Sequence, residues 1–256
     1  MAPRIKVMRL GQSGFRLEYS EAVIYADPYL SDYVERINGK SFARLIPSPI
    51  QPHSIVDATV ALISHIHPDH CDPDTLLPIS RSSPHARFLG PLQVIEFLKR
   101  LGIADDRMIL ATEDWISVAP NVRVRPVPAA HKFIERESDG LLRFVGFVMD
   151  FGGRRVYHAG DTCVHDSILG ILQQIGSIEV MFLPVNECNF YRDRIGIVGN
   201  MSIRDAFSMA EEDGSAIVVP MHYDMFRLNS VFREEIETVY RSSRLAFRLL
   251  FDPTEL

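Results

Sequence analysis

This 256-residue sequence has few cysteines, no excess of positive charge and no long apolar run. Three cysteines, an odd number without close pairing, do not form the disulfide framework typical of small secreted domains. With 27 Lys and Arg against 33 Asp and Glu, the net charge of −6 argues against binding nucleic acid by bulk charge. No apolar stretch approaches the ~18 residues that a membrane-spanning helix requires, so we expect no membrane partner.

The composition is that of an ordinary globular chain. Hydrophobic residues make up 46% and charged residues 23%, which excludes a highly charged disordered chain. No change in composition marks a boundary, so we expect a single domain over residues 1–256. The N-terminal residues enter an alternating pattern at Ile5 without the apolar stretch of a signal peptide, which predicts a cytoplasmic protein.

The order of the predicted elements indicates the fold class. Predicted strands open both halves of the chain, and predicted helices separate the later strands of each half. The apolar runs at residues 58–64 and 216–221 are examples of these later strands. This order predicts an α/β fold, an αββα sandwich of two mixed β-sheets with helices on the outer faces. Residues 29–51 are predicted as an insertion or lid-like loop, and residues 186–200 as a polar loop.

Three histidines and an aspartate occupy six positions directly after the first of these apolar runs. His65 and His67 point to the same side of an extended chain, because side chains alternate with a period of two. Pro68 ends the strand geometry, so Asp69 and His70 turn towards a neighbouring position. Imidazole and carboxylate groups suit Zn, Mn or Fe(II). A polar loop at a strand end is the simpler alternative, but turn chemistry alone does not require three imidazoles.

Three later residues follow apolar runs in the same way: His131, Asp161 and His222. Each is predicted to lie just beyond a strand, on a loop at one edge of the scaffold, where functional residues gather. Gly160 precedes Asp161 and is expected to let the backbone approach a metal closely.

In order and rough spacing, these residues resemble the ligand set of the metallo-β-lactamase superfamily across nearly the whole chain. The resemblance implies a site for two divalent metal ions, Mn or Zn, at one edge of the sandwich. Asp27 matches an acid that steadies a histidine ligand. Carried over by position, the first metal would be held by His65, His67 and His131, the second by Asp69, His70 and His222, and Asp161 would bridge them.

A narrower resemblance comes from two short stretches, residues 199–202 (Gly-Asn-Met-Ser) and residues 220–226 (Pro-Met-His-Tyr-Asp-Met-Phe). Both are similar to the L-ascorbate-6-phosphate lactonase group. That resemblance implies a manganese-dependent, cytoplasmic homo-oligomer whose partner is a small phosphorylated molecule.

The resulting hypothesis is a metal-dependent hydrolase that opens a lactone or ester in a small phosphorylated metabolite. Divalent metals activate water for attack on a carbonyl, and Asp69 and Asp161 are the predicted catalytic residues, with Asp69 as proton acceptor. Arg192 and Arg194 are predicted to hold the phosphate, although they could equally form a solvated loop face. Tyr223 could donate to an oxyanion or simply pack, and Asn186 completes the predicted substrate-binding residues.

Two other functions remain open at this point. A phosphodiesterase or nuclease could use the same dinuclear site, although the acidic net charge makes nucleic acid an unfavourable partner. A non-hydrolytic di-iron redox module is the second alternative. Redox members of the superfamily usually replace some of these histidines with carboxylates and carry a flavin domain, whereas the histidines are intact in this sequence.

Overall fold

The structure, a computed structural model, describes residues 4–256 and contains two large mixed β-sheets. In the first sheet the three N-terminal strands are antiparallel, and the third to sixth strands run parallel. In spatial order the strands are β1 (Lys6–Gly11), β2 (Gly14–Tyr19), β3 (Ala22–Ala26), β4 (Val60–Leu62), β5 (Arg87–Gly90) and β6 (Met108–Leu110).

The second sheet repeats this plan, with antiparallel strands first and parallel strands after them. Its spatial order is β15-β14-β13-β12-β11-β8-β7, and a separate pair, β9 and β10, lies beside it. The bounds are β7 (Ile116–Ala119), β8 (Val122–Pro128), β9 (Ala130–His131), β10 (Phe133–Ile134), β11 (Val145–Phe151), β12 (Arg154–His158), β13 (Val180–Pro184), β14 (Ile217–Met221) and β15 (Arg248–Leu249).

Helices connect the parallel strands of both sheets, as a parallel crossover requires. Sequence signals set several of their ends. The Asp72 side chain accepts from the Asp74 N–H at the start of α2, Ser202 and Asp205 form a capping box at α6, and Gly214 ends α6 in the left-handed conformation. The helices are α1 (Tyr33–Asn38), α2 (Pro73–Ser82), α3 (Leu92–Arg100), α4 (Asp166–Ile175), α5 (Phe190–Arg194), α6 (Ile203–Asp213) and α7 (Arg233–Ser242).

The main hydrophobic core is shared by the two sheets. Phe15 of β2 lies against Phe182 of β13 with 4.4 Å between ring centroids, and both side chains are fully buried. Leu17 and Ile24 of the first sheet belong to the same cluster as Phe147 of the second. This arrangement confirms the predicted sandwich of two mixed sheets. Within residues 4–256, the structure contains no helix that combines the length and the apolar character needed to span a bilayer.

Two segments differ from their predicted loops. Residues 29–51 contain α1 and are packed against the C-terminal part of the chain, where the Leu45 N–H donates to the Met225 carbonyl at 2.9 Å. Residues 186–200 contain α5, whose N-cap residue Asn189 accepts from the Arg192 N–H. Helices of five or six residues are too short to leave a readable periodicity in the sequence, and the short strands β5, β6 and β7 were missed for the same reason.

The contact between the sheets supports a stability prediction. Replacing Phe182→Ala should lower the free energy of unfolding by about 3–5 kcal/mol, because the substitution removes a fully buried ring and leaves a cavity. Urea unfolding measures the change. The control is Phe232→Ala, which truncates a ring that is 72% exposed and should have a much smaller effect. Equal losses in the two variants would contradict the central place of Phe182 in the core.

Candidate metal centre

The candidate ligands come from strand ends of both sheets. His65 follows β4 of the first sheet, whereas Asp161 and His222 follow β12 and β14 of the second. β4 and β14 run parallel to both of their neighbours and β12 runs parallel to β13, and ligand sites form beyond the carboxyl ends of such strands. The packing of one sheet on the other therefore brings side chains far apart in sequence to one edge, as the sequence predicts.

The ligand atoms gather into two groups. His65, His67 and Asp161 offer atoms that lie within 4.8 Å of one another, and Asp69, His70 and His222 form a second such group. His131 lies beside the first group, with its Nε2 3.9 Å from Oδ2 of Asp161.

Asp161 reaches both groups. Its Oδ1 lies 3.3 Å from Nε2 of His70, and its Oδ2 lies 3.3 Å from Nε2 of His222. Its carboxylate also belongs to the tight group with His65 and His67. This is the position expected of a bridging ligand. The structure thus brings all seven predicted ligands together, and metal binding by each of them stays a prediction.

The site leaves donor atoms unused by the protein. Nε2 of His70 and Oδ1 of Asp161 are buried and have no hydrogen-bond partner within the described part of the chain. A buried polar atom without a partner costs free energy. Two such atoms close together among the candidate ligands are therefore consistent with a site that binds a cation. Nitrogen and carboxylate donors in this number suit Zn, Mn or Fe(II), as the sequence predicts.

Burial keeps three of the imidazoles neutral. It lowers the pKa of His65 well below the ordinary value and that of His131 to about 4, and it also lowers the pKa of His67. A neutral imidazole has a free lone pair, which is the form that coordinates a metal. These three side chains are therefore prepared as ligands at neutral pH.

The second group favours positive charge. Burial alone would lower the pKa of His70, but the carboxylates of Asp161, Asp27 and Asp69 raise it well above the ordinary value. The same balance raises the pKa of His222 to about 9, because Asp161 and Asp69 outweigh its burial. In turn, burial raises the pKa of Asp161, and the two histidines lower it well below the usual range. The carboxylates thus create a negative potential in which a cation is stabilised.

Asp27 has the neighbours that the sequence predicts for a supporting acid. Its Oδ2 accepts from Nδ1 of His70 at 2.8 Å and from the Ser64 hydroxyl at 2.6 Å, and its Oδ1 accepts from the Ser64 N–H at 2.7 Å. These contacts fix the ring orientation of His70 and leave its Nε2 facing the other ligands.

Gln12 is a site residue that the sequence analysis missed. Its side-chain amide nitrogen donates to Oδ2 of Asp69 at 2.6 Å and lies 3.0 Å from Nε2 of His222, and its backbone carbonyl accepts from the backbone N–H of His222 at 3.1 Å. In the sequence it belongs to a Gly-Gln-Ser-Gly turn, whose composition is explained by the turn alone. Nothing in that local pattern points to contacts with Asp69 and His222, which lie far away in the sequence.

Gly160 has a different role from the predicted one. Its φ is +61°, and a Cβ atom there would lie 2.7 Å from the Val145 carbonyl oxygen and 2.9 Å from Cβ of Ser64. Glycine is therefore required because the backbone of this loop passes tightly between β11 and the loop after β4. The close approach is to protein atoms, and it sets the position of Asp161.

A pocket of about 400 Å³ opens above the ligands. Its floor includes five of the candidate ligands, and its sides come from α1 and the turn after it, from the loop after α5, and from the segment that follows His222. The lining residues are Val34, Asn38, Phe42, His67, Pro68, Asp69, His131, Asp161, Ile195, Gly196, Ile197, Val198, His222, Phe226 and Asn229.

The four predicted substrate-binding residues are absent from this lining. Asn186 is buried and donates to Oδ1 of Asn229 at 3.0 Å, so it lies behind a lining residue. The Arg192 guanidinium donates to two backbone carbonyls, and Arg194 is exposed over the Phe190 ring. Tyr223 is buried with its ring beneath the Arg9 guanidinium. Substrate binding by these residues remains a prediction, without direct contact to the pocket.

An αββα sandwich with this His/Asp centre at its edge is the arrangement of the metallo-β-lactamase fold. The family model of the beta-lactamase superfamily domain matches residues 23–223, most of the chain. The protein is therefore a member of that superfamily, as the sequence resemblance implied.

Similar proteins agree with this assignment. The chain is 28% identical over 228 residues to a UPF0173 metal-dependent hydrolase of Methanosphaera stadtmanae, covering 87% of this chain and 85% of that protein. It is also 28% identical over 232 residues to an uncharacterized protein of Mycobacterium tuberculosis, covering 89% of this chain. The match spans 60% of the length of that mycobacterial protein.

Solved structures share the fold. A metallo hydrolase from the archaeon Ignicoccus hospitalis aligns with a TM-score of 0.73 at 21% identity, covering 99% of this chain and 97% of that one. The metallo-beta-lactamase fold protein YhfI from Bacillus subtilis aligns with a TM-score of 0.67 at 16% identity, covering 99% and 98%. At these identities the likeness concerns the fold alone.

The contacts of Asp27 give a prediction about metal affinity. Replacing Asp27→Asn should weaken metal binding about 10- to 100-fold, because an amide cannot accept from both His70 and the two Ser64 groups. Titration against a competing chelator measures the loss. The exposed Asp106→Asn is the control and should bind metal like the unaltered protein. Unchanged affinity in Asp27→Asn would refute the orienting role of this carboxylate.

Gln12 gives a second prediction. Replacing Gln12→Leu removes the hydrogen bond to Asp69 at similar side-chain size, and it should weaken one of two bound metals by about tenfold while sparing the other. Stepwise metal titration resolves the two sites. Gln173→Leu, on the exposed face of α4, serves as the control. An equal loss at both sites would instead indicate a general disturbance of the fold.

Proposed function

We propose that the protein hydrolyses an ester or lactone in a small molecule. The observation that carries this proposal is the carboxylate of Asp161, which lies between two groups of metal-type ligands at the floor of a pocket of about 400 Å³. A dinuclear site below a pocket of that size suits a small substrate whose reacting bond is presented to the floor.

The chain's own residues provide positioning and proton transfer. Divalent metal ions, when bound by the seven ligands, would supply Lewis-acid chemistry and the activation of water. Asp69 lines the pocket and has an acceptor oxygen at its floor, so it is placed to take up the proton released in hydrolysis. The amides of Asn38 and Asn229 line the sides and can orient polar atoms of the substrate.

Hydrolysis of a small molecule is favoured over the two alternatives. The pocket is bounded on several sides by α1, the loop after α5 and the segment after β14, which suits a small molecule better than a polynucleotide. The acidic net charge also opposes nucleic acid. The name of the Methanosphaera relative, a metal-dependent hydrolase, supports hydrolysis over di-iron redox chemistry.

The finer assignment to a lactonase of a phosphorylated sugar acid rests on the two short stretches at residues 199–202 and 220–226. Our expectations of manganese and of a homo-oligomer have the same basis, which is also one of two grounds for expecting a cytoplasmic location. Phe226, from the second stretch, lines the pocket, whereas Arg192 and Arg194 do not. The support for ester or lactone chemistry is therefore stronger than the support for a phosphate group.

A substrate panel tests the reaction class. The protein is purified without added metal, its metals are measured by elemental analysis, and simple esters and lactones are compared with bis(p-nitrophenyl) phosphate. We expect Mn or Zn near two per chain and turnover of the esters or lactones. Faster turnover of the phosphodiester would favour the phosphodiesterase, and iron without hydrolysis would favour the redox module.

Asp161 supplies the matching variant. Replacing Asp161→Ala should abolish turnover and reduce metal occupancy, because both ligand groups lose a shared carboxylate. Metal content and ester hydrolysis are measured on the same preparation. Asp166→Ala removes an exposed carboxylate on the same loop-to-helix segment and should leave both quantities unchanged. A variant at Asp161 that keeps two metals and full activity would refute the bridging position.

A further inference from the structure

The sides of the pocket differ sharply from its floor. The floor supplies the imidazoles and carboxylates, whereas four residues form what we call the apolar wall: Val34, Phe42, Ile197 and Phe226. Val34, Ile197 and Phe226 are only 4%, 7% and 2% exposed, and the ring of Phe42 meets that of Phe226 at 5.9 Å between centroids. Ile195 extends this surface towards the mouth of the pocket and is 60% exposed.

The apolar wall is anchored from behind. Val34 and Phe226 pack with Tyr29 and Met225 in one buried cluster, and Phe42 packs against it. Backbone hydrogen bonding of Leu45 to Met225 ties the same segments together. The wall is thus built by the fold and presents a fixed apolar face to whatever occupies the pocket.

Among residues 4–256, no lysine or arginine lines the pocket. Three basic side chains of the surrounding segments have protein partners, and others, such as Lys40, Arg194 and Arg227, do not line the pocket. Lys132 pairs with Asp193 at 2.9 Å, Arg192 donates to the carbonyls of Glu187 and Ser230, and Arg44 donates to the carbonyl of Tyr29. A phosphate against the apolar wall would lose its hydration without gaining a cationic partner, which is unfavourable.

We infer that the pocket takes an uncharged substrate, an ester or lactone whose apolar group lies against the apolar wall. The amides of Asn38 and Asn229 then meet its remaining polar atoms. This inference rests on the proposed hydrolysis and names the substrate class of the same site. It replaces the phosphorylated metabolite with a neutral one, because recognition away from the metal centre is apolar.

A matched pair of probes tests the inference. Phenyl acetate and 4-acetoxyphenyl phosphate carry the same ester and differ by one phosphate group. Their unreactive amide counterparts, acetanilide and 4-acetamidophenyl phosphate, report binding without turnover. Acetate release gives kcat/KM for the esters, and NMR titration of the metal-loaded protein gives Kd for the amides. We expect the neutral compound to be preferred by about tenfold or more in both measurements.

A positive charge introduced at the mouth of the pocket should weaken this preference for the neutral compound. Ile195→Lys places an ammonium group at an exposed lining position, so it should raise the affinity for the phosphorylated amide and reduce the preference for the neutral one. Tyr191→Lys is the matched control, because Tyr191 is 78% exposed on α5 and does not line the pocket. The control should behave like the unaltered protein.

The possible results separate the two proposals. Equal or better binding and turnover of the phosphorylated pair would overturn the uncharged substrate class while leaving ester hydrolysis intact. If the neutral amide binds better but neither ester is cleaved, ester hydrolysis fails, and the inference fails with it as a statement about substrate. If Tyr191→Lys changes the preference as much as Ile195→Lys, the preference arises from general surface charge and the assignment to this pocket is wrong.

Discussion

The carboxylate of Asp161 is the group on which the site depends. It is buried, and an unpaired buried carboxylate is costly, so its position requires positive charge close by. His70 and His222 supply part of that charge from opposite sides at 3.3 Å each. The two histidines belong to different sheets by origin, one after β4 and one after β14. The packing of the two sheets therefore brings to the Asp161 carboxylate the two histidines whose charge stabilises it.

Backbone strain concentrates around the same edge. Among residues 4–256, seven residues other than glycine have positive φ angles, and Gln12, Asp27 and His222 are three of them. Such conformations cost about 1–2 kcal/mol for an L-residue, and they persist where surrounding contacts enforce them. At Asp27 the enforcing contacts are to Ser64 and His70, and at Gln12 and His222 each residue hydrogen-bonds the other. The strained backbone conformations thus occur at residues that fix the orientation of the candidate ligands.

The sequence predicted most where a pattern extended over several consecutive residues and had a physical cause. Long apolar runs predicted the central strands, and the ligand run at residues 65–70 predicted the site because no turn requires that density of imidazoles. Gln12 could not be found in this way, because its role depends on a contact with Asp69, which is 57 residues away in the sequence. The local sequence also could not show whether Arg192 is free to bind a phosphate, because its guanidinium donates to backbone carbonyls that only the tertiary structure brings close.

The segments that define the pocket are those that the sequence leaves irregular. Residues 29–51 and 186–200 have too little periodicity to predict a helix, yet they supply Val34, Phe42 and Ile197 to the pocket. Their order comes from tertiary contacts such as the packing of Val34 with Phe226, because no single segment buries enough apolar surface alone. The metal ligands, in contrast, follow apolar runs that are visible in the sequence, such as residues 58–64 and 216–221. Local sequence patterns therefore predict the reaction class in this fold. The substrate class depends on the residues at the sides of the pocket, which only the folded chain brings together.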